Sequence, residues 1–372
     1  MAQRFDVTAP GDIRFGAGRV AEVAEAVSGL GVGRAFLVTG RTAHRAAGLR
    51  ASLDAAGIET VTFPVAAEPS VALVREAVAA LRGAGCDGVV GFGGGSALDV
   101  AKAVAILARP GTDPLDHLEV VGRGLPITEP GLPCVAVPTT AGTGSEVTRN
   151  AVLAADGVKA SLRSPLMLPR VAVVDPDLLA GQPAATVAAA GMDALARDGM
   201  RRSARSLRRA VELGLDDAGP DGAALREDLA LASLFGGLCL ANAGLGAVHG
   251  IAGVIGGRFE APHGAVCAAL LAPALDVTLR ALVARAPADP AAPRAAEVAA
   301  LLTGVPEADA ADGVTWLGEL REALAVPGLA AWGMTDADVP AVVVGARRAS
   351  STRAHPIELT EAELAEIVAR AR

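Results

Sequence analysis

A short apolar run, residues 88–92, enters Gly93-Gly94-Gly95-Ser96 and emerges as an apolar helical stretch over 97–108. This strand–glycine–helix passage constrains the fold more than any other part of the chain. Glycines let a backbone approach a ligand closely. The free N–H groups and the dipole at a helix start favour an anion there. Ser96 is placed to cap the helix. Asp99 falls in its first turn, either facing a cofactor hydroxyl or complementing the dipole. The same loop also reads as a plain connector. It is not G-x-G-x-x-G, so the usual dinucleotide fingerprint is not met.

The surrounding pattern extends the constraint. β-like runs at 35–39, 60–64, 88–92, 133–137 and 171–174 alternate with helical patterns at 42–56, 71–82 and 97–108. A further short strand ends at Phe15-Gly16, ahead of a helix over 19–28. Such alternation implies a parallel sheet with right-handed crossovers. The run at 133–137 leads into Pro138-Thr139-Thr140-Ala141-Gly142-Thr143-Gly144-Ser145-Glu146-Val147-Thr148. This loop can grip ribose and phosphate oxygens, or it is an ordinary Ser/Thr turn. Two such loops at strand ends favour a dinucleotide site more than either alone. Residues 150–154 and 158–162 form a hairpin pattern turned at Asp156-Gly157, with Lys159 projecting either into solvent or towards ligand oxygens. Asp175-Pro176 closes this half. Helical patterns then dominate, so the expected division is an α/β dinucleotide-binding domain over 1–180 and a helical domain over 181–372.

The second half carries the other candidate site. Gly191-Met192-Asp193-Ala194-Leu195 is expected to start a helix whose apolar side runs through Met200 and Leu207, with Arg201, Arg202, Arg205, Arg208 and Arg209 on a solvated side. Asp193 is the single acid in an apolar neighbourhood. Two of the five histidines, His249 and His263, are each followed by Gly among small apolar residues. An imidazole in such surroundings needs a partner, which a metal ion or a backbone carbonyl supplies.

Aromatic residues make up 2% of the chain and there is no Tyr, so Ala, Gly, Val and Leu must pack the core through close helix contacts. The net charge of −8, without a long basic run, argues against nucleic acid and acidic membranes as partners. Cys86, Cys134, Cys239 and Cys267 form no C-x-x-C pair and read as reduced core residues of a cytoplasmic protein. The uncharged stretch 229–248 is long enough to span a bilayer, but its glycines and Asn242 favour a buried helix and its sequel.

These motifs, in this order, resemble the iron-containing alcohol dehydrogenase superfamily over nearly the whole chain. The match rests on Gly93–Lys102, the loop 138–148, Asp175-Pro176, the Gly191–Leu195 motif, and the pairs His249-Gly250 and His263-Gly264. The resemblance implies a dehydroquinate synthase-like architecture. An α/β nucleotide domain precedes an all-α domain, with an active-site cleft between them. It implies NAD or NADP held by Gly94, Gly95, Ser96, Thr139, Thr140, Thr143, Asn150 and Lys159, with Gly40, Arg41 and Asp99 beside them. It implies one divalent metal, iron or zinc, on Asp193, His249 and His263, which act catalytically through that metal, and it makes Lys159 a catalytic candidate. It also implies a small alcohol or aldehyde substrate and a homodimer or larger homo-oligomer.

The chain departs from the family pattern in four places. The family often has His four residues after the ligand Asp, and here that position is Arg197. Another common His becomes Gly253. Against that pattern, a helix and loop are missing after Leu195. The sequence Val38-Thr39-Gly40-Arg41 carries no acid to repel a 2′-phosphate, so NADP should be tolerated. These departures keep two other readings open. One is a metal-free enzyme resembling maleylacetate reductase, using Arg197 or Arg258 on substrate carboxylates. The other is a nucleotide-binding homologue with impaired catalysis.

Overall fold

The computed structural model describes residues 7–155, 158–195, 219–259 and 261–372. The chain divides into two compact units, Met1–Ala180 and Gly181–Arg372.

The first unit is built on six parallel strands in the order β1-β8-β5-β4-β2-β3. These are β1 Asp12–Phe15, β2 Arg34–Gly40, β3 Glu59–Val65, β4 Gly88–Gly93, β5 Cys134–Pro138 and β8 Val171–Val174. Alternate side chains explain why the sheet is covered on both faces. Phe36, Val38 and Val89 pack with α3 (Val71–Ala84) and α4 (Gly95–Ile106). Leu37, Val90 and Val135 pack with α1 (Val23–Gly29) and α2 (Ala47–Ala55). Pro64 lies within β3, where an edge strand tolerates the missing donor. The antiparallel hairpin β6 (Asn150–Ala155) and β7 (Val158–Arg163) forms a separate ribbon. Its expected turn at Asp156-Gly157 lies outside the described residues.

Strand order reverses between β2 and β4. The chain leaves β2 towards β3 on one side and leaves β4 towards β5 on the other. In open parallel sheets, ligands bind at the carboxyl ends beside such a reversal. Here those ends are Gly40 and Gly93. They approach so closely that a Cβ on Gly93 would lie 3.1 Å from the Gly40 nitrogen. At the far side, buried Asp175 accepts from the N–H groups of Gly18 (3.1 Å), Val20 (2.9 Å) and Asp177 (3.0 Å). The Asp-Pro motif thus ties the end of β8 to the 3₁₀ turn Arg19–Glu22.

Several boundaries differ from expectation. The stretch 19–28 opens as that 3₁₀ turn before α1, and 42–56 opens as a 3₁₀ turn, Ala43–Ala46, before α2. Helix α4 begins at Gly95 with Gly94 as its cap residue and no capping side chain, so Ser96 is the second helical residue and not the cap.

The second unit is helical among its described residues. It contains α6 (Ala184–Leu195), α7 (Pro220–Ala243), α8 (Ala247–Arg258) and α9 (His263–Arg285). After these come α10 (Ala291–Thr303), α11 (Ala310–Ala323), α12 (Val339–Arg348) and α13 (Glu361–Arg370). In this numbering α5 is the single turn Pro114–His117 of the first unit. Ile251, Ile255, Val266, Leu270, Val342, Leu364 and Ile367 belong to the core of the second unit. The uncharged stretch 229–248 is not one helix. It breaks at Gly244, where φ is +86°, and α7 and α8 meet at 101°. Among the described residues α9 alone has the length and apolarity to cross a bilayer, and 61% of its apolar window is buried inside the protein. The Gly191–Leu195 motif closes α6, as far as the described residues reach, and does not start a helix. Arg197, the arginine-lined side and the missing-segment expectation fall outside the described residues.

Candidate metal centre and nucleotide loops

The second unit gathers four potential ligand side chains. Asp193 lies near the end of α6, His249 in the first turn of α8, and His263 at the first position of α9. Cys267, one turn further along α9, joins them. One ligand atom from each of Asp193, His249, His263 and Cys267 lies within 4.8 Å of all the others. His249 Nε2 is 3.1 Å from Asp193 Oδ1, and Cys267 Sγ is 3.5 Å from His263 Nε2. The two imidazole centroids are 5.5 Å apart, tilted by 47°. Asp193 is 1% exposed, His249 5% and Cys267 0%. A buried carboxylate and thiol beside two imidazoles form a donor set suited to a divalent ion. Ligand bonds of 2.0–2.3 Å give tetrahedral edges of about 3.3–3.8 Å, close to the two separations above. The residues therefore fit the metal that the resemblance implies.

Small residues make this convergence possible. A Cβ on Gly264 would sit 2.6 Å from the Ala189 carbonyl oxygen, so α9 meets α6 backbone to backbone beside His263. A Cβ on Gly250 would sit 2.0 Å from Thr352 Oγ1, so α8 is pressed onto the turn Ser350–Ala354. His355 follows that turn and pins the start of α8. Its Nδ1 accepts from the Ala247 N–H (3.3 Å). Its Nε2 must then carry the proton and donate to Thr278 Oγ1 (3.0 Å), whose hydroxyl donates to Ala274 O (2.6 Å). Burial pushes the His355 pKa down to about 4. No sequence signal singled out His355. Cys267 did have one, because four residues after His263 on a helix is the same face. Cys267 is a free, buried core cysteine as expected, and it also faces the cluster. Cys134 is likewise a core thiol, its pKa pushed up to about 12 by burial.

The first unit brings the two loops of hydroxyls and glycines together. The Thr139 N–H donates to Gly93 O at 2.9 Å. A Cβ on Gly94 would lie 3.1 Å from Thr140 Oγ1, and one on Gly95 would lie 2.7 Å from Thr143 Cγ2. Glycine is thus required where the helix start is closed over by threonines. The cap residue of α4, Gly94, makes no side-chain cap bond. Thr39 Oγ1, at the end of β2, is buried without a partner.

Three expected cofactor contacts have other occupations. Both oxygens of Asp99 have partners within the protein. Ser145 Oγ donates to one (2.6 Å), the Val152 N–H to the other (2.9 Å), and Lys102 Nζ lies 3.2 Å away. Lys102, fully buried, also donates to Thr148 Oγ1 (2.9 Å) and to the Asn150 carbonyl. This pair rivets the Thr loop and β6 onto α4, a role the sequence reading missed. Lys159 is not solvated. Its side chain is 7% exposed and pairs with Glu68 at 3.1 Å. Arg41 donates from Nε and Nη2 to the Ala66 carbonyl (3.1 and 2.8 Å) beyond β3, which holds a cation near the end of β2.

Comparison with known proteins agrees with both halves. The profile of the family described as iron-containing alcohol dehydrogenase matches residues 10–176. That of its C-terminal domain matches 184–372, across the point where a segment was expected to be missing. A 4-hydroxybutyrate dehydrogenase from Cupriavidus necator is 37% identical over 251 residues, 61% of this chain and 64% of that protein. The crystal structure of a 1,3-propanediol oxidoreductase superposes with a TM-score of 0.87 at 32% identity, covering 100% of both chains. A sulfoacetaldehyde reductase from Bifidobacterium kashiwanohense, solved in complex with NAD+, superposes at 0.80 with 26% identity over 99% of this chain and 98% of that one. The chain belongs to the iron-containing alcohol dehydrogenase family of oxidoreductases.

Proposed function

We propose that this chain is an NAD(P)-dependent oxidoreductase that interconverts a small alcohol and its aldehyde or ketone. In the oxidising direction, a hydride leaves the carbinol carbon for the oxidised nicotinamide and the hydroxyl proton is released. The products are the carbonyl compound, NAD(P)H and one proton. The observation that carries this reading is the convergence of Asp193, His249 and His263 within the helical unit. A divalent ion bound there supplies Lewis acidity towards the alcohol or carbonyl oxygen. Asp193, His249 and His263 would hold it, the first two buried and His263 partly buried.

The α/β unit supplies coenzyme binding. The uncapped start of α4 at Gly94, Gly95 and Ser96 receives the phosphates. Thr139, Thr140 and Thr143 close over them, and Asn150 and Lys159 lie on the adjoining hairpin. Gly40 admits the adenosine ribose, and Arg41 with no acid beside it tolerates a 2′-phosphate. Enzymes of this family use NAD(H) and a divalent metal, iron typically, and the NAD+ complex of the sulfoacetaldehyde reductase supports the coenzyme assignment. A cytoplasmic location and a homo-oligomeric state complete the reading. Four free cysteines support the first, and family resemblance supports the second.

The test is NAD(P)H oxidation by a panel of small aldehydes with the purified full chain. Activity should disappear on treatment with chelator and return with iron(II) or zinc. Full activity in protein from which metal analysis finds no ion would overturn the reading and favour the metal-free alternative.

A further inference from the structure

We propose that the fourth donor of this centre is the Cys267 thiolate, and that it directs the site to zinc in preference to iron. The inference rests on the metal reading above and adds a residue and an element preference to it; with four protein donors the substrate oxygen would enter as a fifth ligand, a coordination number zinc reaches in catalysis.

Cys267 stands one helical turn from His263, so both side chains leave α9 on one face. Its sulfur is 3.5 Å from His263 Nε2 and within 4.8 Å of a ligand atom of Asp193 and of His249. A core thiol needs only apolar neighbours, whereas this one faces a carboxylate and two imidazoles. Charge points the same way. A divalent ion with one carboxylate and two neutral imidazoles leaves a net positive charge in a site where Asp193, His249 and Cys267 are buried and His263 is partly buried. A thiolate cancels it, which removes a large cost of burial. The position where the resemblance leads one to expect a further imidazole is Arg197, which cannot donate. Cys267 supplies the fourth donor from the opposite side of the sequence. Thiolate is the softest of the four donors and suits zinc better than a set of nitrogen and oxygen alone.

Cobalt(II) tests this on the full-length protein, stripped with chelator and reloaded. Wild type should show an intense near-ultraviolet thiolate-to-cobalt band. Cys267→Ser should lose that band and keep the weak visible bands, while Cys239→Ser should leave both unchanged. Where Cys267→Ser does not fold, X-ray absorption at the zinc edge of wild type decides, with one sulfur neighbour expected at about 2.3 Å. Cobalt bound without the band, or zinc with nitrogen and oxygen neighbours alone, overturns the Cys267 assignment and leaves the metal reading standing. Failure of wild type to bind cobalt or zinc overturns both. Retention of iron over zinc from an equimolar mixture overturns the element preference.

Discussion

His355 is a base kept neutral by its surroundings, and this makes the protein sensitive to acid. Its pKa is about 4 in the folded chain against 6.5 when exposed. Between those values the unfolded chain binds more protons, so stability present above pH 6.5 is lost as pH falls towards 4. The full effect is about 3 kcal/mol. Urea unfolding with chelator present, at pH 7.5 and 4.5, should show wild type losing roughly 2–3 kcal/mol more than His355→Gln. Equal losses in the two proteins would remove His355 as the cause. Gly264 makes a different single-residue prediction. Its missing Cβ is what allows Ala189 O to approach. Gly264→Ala should destabilise by about 1–3 kcal/mol through overpacking and weaken zinc binding. Calorimetric titration should find NAD(H) affinity unchanged.

At the scale of elements, the Asp99–Lys102 pair decides how firmly the Thr loop is held. Lys102→Met keeps most of the length of the side chain and removes the charge. The bonds to Thr148, Asn150 and Asp99 go with it, at a cost of about 2–4 kcal/mol. NAD(H) affinity measured by fluorescence titration should fall, while zinc content stays at the wild-type level. Much of this unit was legible in the sequence, because period-two apolar runs and glycine punctuation are local signals. The strand positions and the meeting of the two loops follow from them. The start of α4 was misjudged by two residues, since Gly94 in extended backbone takes the cap position that Ser96 chemistry suggested. The partnerships of Asp99 and Lys102 were not legible, because Ser145 and Val152 come from far along the chain. In the helical unit, Asp193, His249 and His263 stood out as lone polar groups among small apolar ones. Cys267 did not, although its place four residues after His263 was a usable signal, since a cysteine among alanines looks like packing.

On the scale of the whole chain, each candidate site draws its residues from one unit. Asp193, His249, His263 and Cys267 all belong to Gly181–Arg372, and the loops at 93–96 and 138–148 belong to Met1–Ala180. Metal removal should therefore act locally. Hydrogen exchange followed by mass spectrometry should show chelator raising exchange in α6, α8 and the first turns of α9. Protection of β2, β4 and β5 should not change. Loss of protection throughout the sheet would contradict this. The helix break at Gly244 has a consequence beyond chemistry. It divides the uncharged stretch 229–248 between the end of α7 and the start of α8, set at 101° to each other, so no single straight apolar segment runs through it.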